Sequence, residues 1–380
     1  LKPPVKIYLL AGEASGDLHG SNLVKSLKTY RPDADIRGWG GDAMAKAGAV
    51  ISKHIRELAF MGFAEVVANL PAILNNFKFC KKDILEFQPD VVVLIDYPGF
   101  NLRMAKWLRK QGIRTIYYIA PQVWAWKESR VSIIREKVDV LLSILPFEPA
   151  FFDRHQIKTH YVGHPLLEAV QYFKQDHKTP STTPQRAIIA LLPGSRKQEI
   201  RTHLPTMLHL SQLFRQYDFH IAGAPAQDEL IYKETIKSTL GFHPENVKVQ
   251  FSKTYELLHA AKAAIVCSGT ATLETALFKV PQVVCYRGHM ISYFIARLLI
   301  KVKYISLVNL ILDRPFLKEL IQKEFTVSRL AEELNRITLP KEQVIFKETY
   351  DELENLLTMD GFASDKAAQI ILETFPHREV

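Results

Sequence analysis

Residues Leu191–Arg201, LLPGSRKQEIR, decide how this chain is read: an apolar run stops at Pro193 and Gly194 and passes into a charged, helix-forming segment. The run starts at Ala187 and is too short for a typical helix, so Ala187–Leu192 is predicted to be a buried strand. Gly194 permits close backbone approach. Ser195 and the following amides can donate hydrogen bonds, and Arg196 offers a planar fork to phosphate oxygens at a helix N-terminus. That geometry suits a nucleotide diphosphate. An ordinary strand-to-helix turn with a surface arginine would look the same, so the rest of the chain must separate the two readings.

The strand-then-helix rhythm recurs on both sides of this stretch. Strands are predicted at Val5–Leu10, Asp35–Trp39, Val91–Ile95 and Thr115–Ile119, with an amphipathic stretch at Ser21–Lys28. The second half repeats the pattern at Ala187–Leu192, Phe219–Ala222, Val247–Phe251, Ala264–Cys267 and Gln282–Tyr286. Such alternation implies an α/β protein with doubly wound parallel sheets, and 380 residues are enough for two of them. Polar Gln171–Gln185, QYFKQDHKTPSTTPQ, is the expected hinge between a domain at 1–170 and a second at 186–345. In the tail, 346–380, the spacing of Leu353, Leu356, Leu357, Ala367, Ile370 and Ile371 predicts helices that pack back across the domains. Ligands of such a pair are expected at the carboxyl ends of the strands, in the cleft between domains.

Composition narrows the partners. Hydrophobic residues make up 47% and charged residues 23%, as in a soluble globular protein, and no apolar run reaches the roughly 18 residues of a spanning helix. The N-terminal LKPPVKIYLLAGEASGD reads as a first core strand and not as a secretory signal. Cys80, Cys267 and Cys285 form neither a disulfide framework nor a zinc pattern, which fits a reducing cytoplasm. Cys267 and Cys285 lie in strand-like runs and read as small buried hydrophobes. A net charge of +9 favours phosphorylated partners and anionic membrane surfaces. No nucleic-acid-binding module is recognisable, so nucleic acid is not expected as a partner.

Several segments at predicted strand ends carry possible chemistry. In AGEASGD, Gly12 and Gly16 flank Glu13 and Ser15 before a helix expected to start near Asp17; the spacing differs from the GxGxxG dinucleotide fingerprint. Glu13 is either a sugar-hydroxyl ligand or a solvated loop carboxylate. Asp96 ends the strand VVVLID and is either a general base aimed at the ligand or the cap of a helix near Asn101. His19 is a weaker base candidate. In PQVWAWKESR, Trp124 and Trp126, with Lys127 and Arg130, suit packing or contact with a sugar or lipid chain. Ser268, Gly269 and Thr270 open a helix in a manner suited to phosphate, and Glu274 beyond them can take two ribose hydroxyls or favour the helix dipole. Leu58–Phe87 is apolar and lysine-bearing. It suits an interfacial patch made by Met61, Phe63, Val66, Leu70, Ile73 and Phe77 with Lys78, Lys81 and Lys82, or an ordinary pair of core helices. Arg297, Lys301 and Lys303 are similarly ambiguous.

Taken in order, AGEASGD, MGFAEV, VLIDYPGFN, PQVWAW, LPFE, VGHP, LLPGSR, SGTATLE and SLVNL resemble the lipid-A-disaccharide synthase family over nearly the whole chain. The resemblance implies a GT-B glycosyltransferase: two facing Rossmann-like domains that hold the diphosphate with helix dipoles and basic side chains, without a metal or other cofactor. It implies transfer of 2,3-diacylglucosamine from UDP-2,3-diacylglucosamine to 2,3-diacylglucosamine 1-phosphate, with inversion, giving a β-1,6 disaccharide and UDP. Asp96 would be the base on the acceptor 6-hydroxyl, and Arg196 would hold the leaving diphosphate. Glu274 would bind ribose, and Gly194, Ser195, Ser268, Gly269 and Thr270 would line the phosphate site. Glu13 and Asn309 would lie near the sugar or diphosphate. Some relatives carry a second acid three residues after the aspartate; this chain has Gly99 there. Diacylated substrates further imply peripheral attachment to the cytoplasmic face of the inner membrane. The rival readings are a UDP-N-acetylglucosamine 2-epimerase or cell-wall glycosyltransferase on the same architecture, and a non-catalytic UDP-sugar sensor.

Overall fold

The computed structural model describes residues 4–58, 70–125, 128–177, 186–225, 227–288 and 303–375. The chain divides into two compact units, Leu1–Pro165 with Met359–Val380, and Leu166–Thr358.

The first unit is built on seven parallel strands: β1 Lys6–Ala11, β2 Asp35–Gly40, β3 Val50–His54, β4 Val91–Ile95, β5 Arg114–Tyr118, β6 Val140–Ser143 and β7 Thr159–Tyr161. Their order is β3-β2-β1-β4-β5-β6-β7, so strand order reverses beside β1. The apolar runs of β1 and β4 are buried on both faces, as a doubly covered parallel sheet requires. Ile7, Leu9 and Ala11 point to one face with Leu23, Val24 and Leu27 of the helix Ala14–Tyr30. Tyr8 and Leu10 point to the other with Phe100, Met104 and Leu108 of the helix Pro98–Lys110. The helices that follow β1 and β4 therefore leave to opposite faces. Helix Leu70–Phe87 docks through buried Asp83, which accepts the Tyr8 hydroxyl at 2.5 Å and pairs with Arg37.

The second unit repeats the plan with β8 Ala187–Leu192, β9 Tyr217–Gly223, β10 Val247–Phe251, β11 Ala261–Cys267, β12 Gln282–Tyr286 and β13 Glu319–Ile321. Their order is β10-β9-β8-β11-β12-β13, with the reversal beside β8. The expected doubly wound α/β architecture is thus present twice. Four strands were not predicted: β3, β6, β7 and β13. They have five residues or fewer, and VISKH, THY and ELI lie at or near sheet edges, where no continuous apolar run is needed.

Two boundaries differ from expectation. Residues 171–176 belong to the helix Pro165–Asp176, so the division falls at Pro165, ahead of the expected hinge; residues 178–185 lie outside the described residues. The chain returns to the first unit at Met359 and not at 346. Helix Pro340–Leu357 stays with the second unit because Phe346, Tyr350 and Leu353 are buried there, with Gln282 Nε2 donating to the Tyr350 hydroxyl at 3.1 Å. Only helix Ala363–Glu373 packs on the first unit: Ala363, Ala367, Ala368 and Ile371 join its core, and Ser26 donates to Ser364 at 2.9 Å.

Asp17 ties the first helix to the next turn. Its buried carboxylate accepts the amides of Gly41 (2.7 Å), Ala43 (3.1 Å) and Met44 (3.0 Å), capping helix Asp42–Lys46. Asp17→Ala strands these donors and is expected to cost about 2 kcal/mol or more, read as a lower urea midpoint at unchanged slope.

Candidate active site

The sequence-predicted residues gather at the two switch points. In a doubly wound sheet, ligands bind outside the carboxyl ends of the strands where strand order reverses. In the first unit, Gly12 and Glu13 follow β1, and Asp96 follows its neighbour β4. In the second, Pro193–Arg196 follow β8, and Ser268–Thr270 follow its neighbour β11.

The helix after β1 begins at Ala14, not near Asp17, so Gly16 sits in its first turn and a Cβ there would come 3.2 Å from that of Ala11. Glu13 is the residue before the helix and its side chain does not cap it. Gly12 is required by close approach: a Cβ would fall 2.4 Å from the Tyr97 ring. Asp96 and Tyr97 both adopt left-handed backbone, with φ of 46° and 48°, which is uncommon and costly away from glycine. Three bonds hold the bend. Asp96 N–H donates to the Tyr118 carbonyl (3.1 Å), and the Asp96 carbonyl accepts from the Tyr117 hydroxyl (2.7 Å) and Asn101 Nδ2 (2.8 Å). The capping alternative for Asp96 is not realised, since Tyr97 precedes helix Pro98–Lys110 and no side chain caps it. Burial, and then the Glu13 carboxylate, push Asp96 up to about 6. His19 is buried and burial pushes it down to about 4, which leaves a neutral and weakly basic ring.

In the second unit, Gly194 has φ of 112°, and a Cβ there would strike Glu199. The Ser195 and Arg196 amides, expected to be open to a ligand, instead donate to Glu199 Oε2 at 3.0 and 3.2 Å. Glu199 lies in the first turn of helix Lys197–Leu208 and reaches back to the turn ahead of it, as in a capping box. The exposed Ser195 hydroxyl and the Arg196 guanidinium, the latter 3.6 Å from Glu199, are still placed to meet an anion. His203, unnoticed in the sequence, braces this turn: Nδ1–H donates to the Glu199 carbonyl (2.8 Å) and Nε2 accepts the Arg287 amide (2.9 Å).

Gly269 and Thr270 are exposed at the start of helix Thr270–Leu277. Ser268 is partly committed, its amide to the Cys285 carbonyl (3.0 Å) and its hydroxyl to the Ile305 carbonyl (2.9 Å). Glu274 is half-buried, accepts the Tyr255 hydroxyl at 3.0 Å and is shifted upward by burial. Asn309 is committed to partners within the protein. It is buried, with Nδ2 donating to Leu317 O (2.9 Å) and Glu319 Oε1 (3.0 Å) and Oδ1 accepting Leu317 N–H (2.7 Å), so it supports the turn that leads into β13.

The apolar stretch is partly visible. Met61, Phe63 and Val66 lie outside the described residues, as do Trp126, Lys127, Arg297 and Lys301; Leu70 opens the helix Leu70–Phe87. Phe77, expected at a lipid surface, stacks instead on core Phe100 with centroids 4.2 Å apart, and Ile73 is half-buried. Lys81 lies over Trp107. The outward side carries exposed Leu74, Lys78, Lys82 and Leu85, which share one helical face. Lys303 is exposed and pairs with Asp313. Trp124 packs edge to face on Phe147. No helix among the described residues is long and apolar enough to cross a membrane.

Two Rossmann-like units with functional groups at both switch points define the GT-B class of sugar-nucleotide enzymes. Similar solved structures include a putative UDP-N-acetylglucosamine 2-epimerase from Listeria monocytogenes (TM-score 0.68, 12% identity, 99% of this chain and 98% of that one). The glycotransferase of kitacinnamycin is similar as well (TM-score 0.66, 14% identity, 98% and 100%). At these identities the likeness concerns the fold. The chain belongs to the lipid-A-disaccharide synthase family and is a glycosyltransferase: residues 7–375 match the family described as lipid-A-disaccharide synthetase. The lipid-A-disaccharide synthase of Myxococcus xanthus (strain DK1622) is 37% identical over 385 residues, 98% of each chain.

If Asp96 acts as a base, kcat/KM is expected to fall about tenfold per pH unit below about 6, because the protonated carboxyl cannot accept a proton. Glu13→Gln removes the neighbouring negative charge and moves that limb to lower pH in the residual rate profile.

Proposed function

We propose that the protein transfers 2,3-diacylglucosamine from UDP to 2,3-diacylglucosamine 1-phosphate. The acceptor sits on the first unit and the nucleotide on the second. The acceptor 6-hydroxyl attacks the anomeric carbon, its proton passes to Asp96, the bond from that carbon to the diphosphate oxygen breaks, and UDP leaves. One displacement inverts the centre and gives the β-1,6 link. Asp96 at the β1/β4 switch point, held in a strained bend with its acidity lowered, is the observation that carries this reading. Glu13 would accept a sugar hydroxyl and keep Asp96 basic. Arg196 would neutralise the departing diphosphate, with Ser195, Gly269 and Thr270 donating to it. Ser268 and Gly194 shape those turns, and Glu274, already oriented by Tyr255, would take the ribose hydroxyls.

The protein is proposed to work at the anionic cytoplasmic surface of the inner membrane, where both substrates keep their acyl chains. The outward face of helix Leu70–Phe87 supports this, since it pairs exposed Leu74 and Leu85 with Lys78 and Lys82.

Disaccharide formation from the two lipid substrates in detergent micelles, with EDTA present, tests the reaction. Asp96→Asn is expected to lower kcat by about 10²–10⁴-fold while UDP still binds. A folded wild type that binds UDP and forms no disaccharide would overturn the assignment in favour of an epimerase or a sensor. Arg196→Ala is expected to weaken UDP binding and leave the acceptor KM unchanged, measured by calorimetry and initial rates.

A further inference from the structure

Trp124 lies on the segment that leaves β5 beside Asp96: Tyr118, at the end of β5, accepts the Asp96 amide, and residues 121–125 follow shortly after. The Trp124 indole is half-buried and meets Phe147 edge to face, with centroids 4.9 Å apart and planes at 88°. Its N–H donates to Glu148 Oε1 at 3.0 Å. Glu148 is fully buried, and its other oxygen accepts the amides of Ile144 (3.1 Å) and Leu145 (3.0 Å) just after β6. One carboxylate therefore ties the segment beyond β5 to the end of the adjacent strand. Holding it there is costly: burial pushes Glu148 up to about 7 in spite of three donors. Nor does this carboxylate cap the short helix Glu148–Asp153 that it opens: Phe147 is the residue before the helix and its side chain does not cap it, while the Glu148 oxygens turn back to residues 144, 145 and 124.

We propose that Glu148 is a positioning residue for the acceptor sugar, fixing through Trp124 the segment 121–125 as one wall of the acceptor site beside Asp96. The flat indole offers an apolar surface to the C–H side of a sugar ring, and its N–H anchor keeps that surface from turning. The proposal rests on the acceptor being bound by the first unit.

Glu148→Gln in the full chain isolates the contact. The amide oxygen can still take the Ile144 and Leu145 donors, and the amide nitrogen then faces the Trp124 N–H, donor against donor. Loss of a bond of this kind, worth about 1 kcal/mol, is expected to raise the acceptor KM about fivefold while donor KM stays near wild type and Tm falls by a few degrees. Trp124→Phe is expected to have a similar effect, and the double variant to be no worse than either single one, since both act on one contact. Additive effects, or equal rises in both KM values, would overturn the proposal. An unchanged acceptor KM in Trp124→Phe would do so even if Glu148→Gln failed to fold. A wild type that makes no disaccharide would instead remove the acceptor assignment beneath it.

Discussion

The reversal of strand order beside β1 and β8 is the constraint on which the rest depends. A parallel sheet needs a crossover after every strand, and its apolar faces must both be covered. In the first unit the helices after β1 and β4 therefore go to opposite faces, and the loops at their starts part from each other. The loops separate at the carboxyl edge of the sheet, which leaves a gap there. Glu13 and Asp96 stand on its two sides, and the second unit places 193–196 and 268–270 in the equivalent positions. Polar residues there need not be paid for by the core, because the strands beneath them are already fully buried.

Within that gap the first unit stores strain at Asp96 and Tyr97. Two consecutive left-handed residues cost on the order of 1–3 kcal/mol each. The bend persists because Tyr117 and Asn101 both donate to the Asp96 carbonyl and the Tyr97 ring fills the space left by Gly12. The Asp96 side chain is thereby aimed by its backbone, leaving the carboxylate free of helix capping. The same burial that fixes it also raises its proton affinity, so orientation and basicity come from one arrangement.

Much of this was legible because it is local. Continuous apolar runs at Val91–Ile95 and Ala187–Leu192, the alternation of Val247–Phe251 and the largely apolar Gln282–Tyr286 matched the strands to the residue, and the glycines after β1 and β8 fall in the turns that follow those strands. What escaped depends on partners distant in sequence or on side-chain direction. Asn309 and Glu319 meet only because β13 pairs with β12, and a three-residue strand leaves no periodic trace. Tyr255 reaches Glu274 from another helix. Phe77 and Leu74 are equally apolar in the sequence; helical phase and the Phe100 ring turn one inward and leave the other exposed.

Glu199 was the exception, visible three residues after Arg196 as half of a capping pattern and yet changing the reading of the turn. A helix N-terminus with open amides attracts any anion, and an unfilled one leaves a glycine turn loosely held. By supplying its own carboxylate, the chain keeps the 193–196 turn in shape before a ligand arrives, and Gly194 is needed because a side chain there would collide with that carboxylate. The consequence for binding is selective. In the proposed complex a diphosphate would meet one fixed negative charge close to Arg196, and the exposed guanidinium and the 269–270 turn would attract it. Attraction of that kind grows with the charge on a leaving group, so under the proposed reaction it would strengthen as the glycosidic bond breaks and be worth more in the transition state than in the ground state.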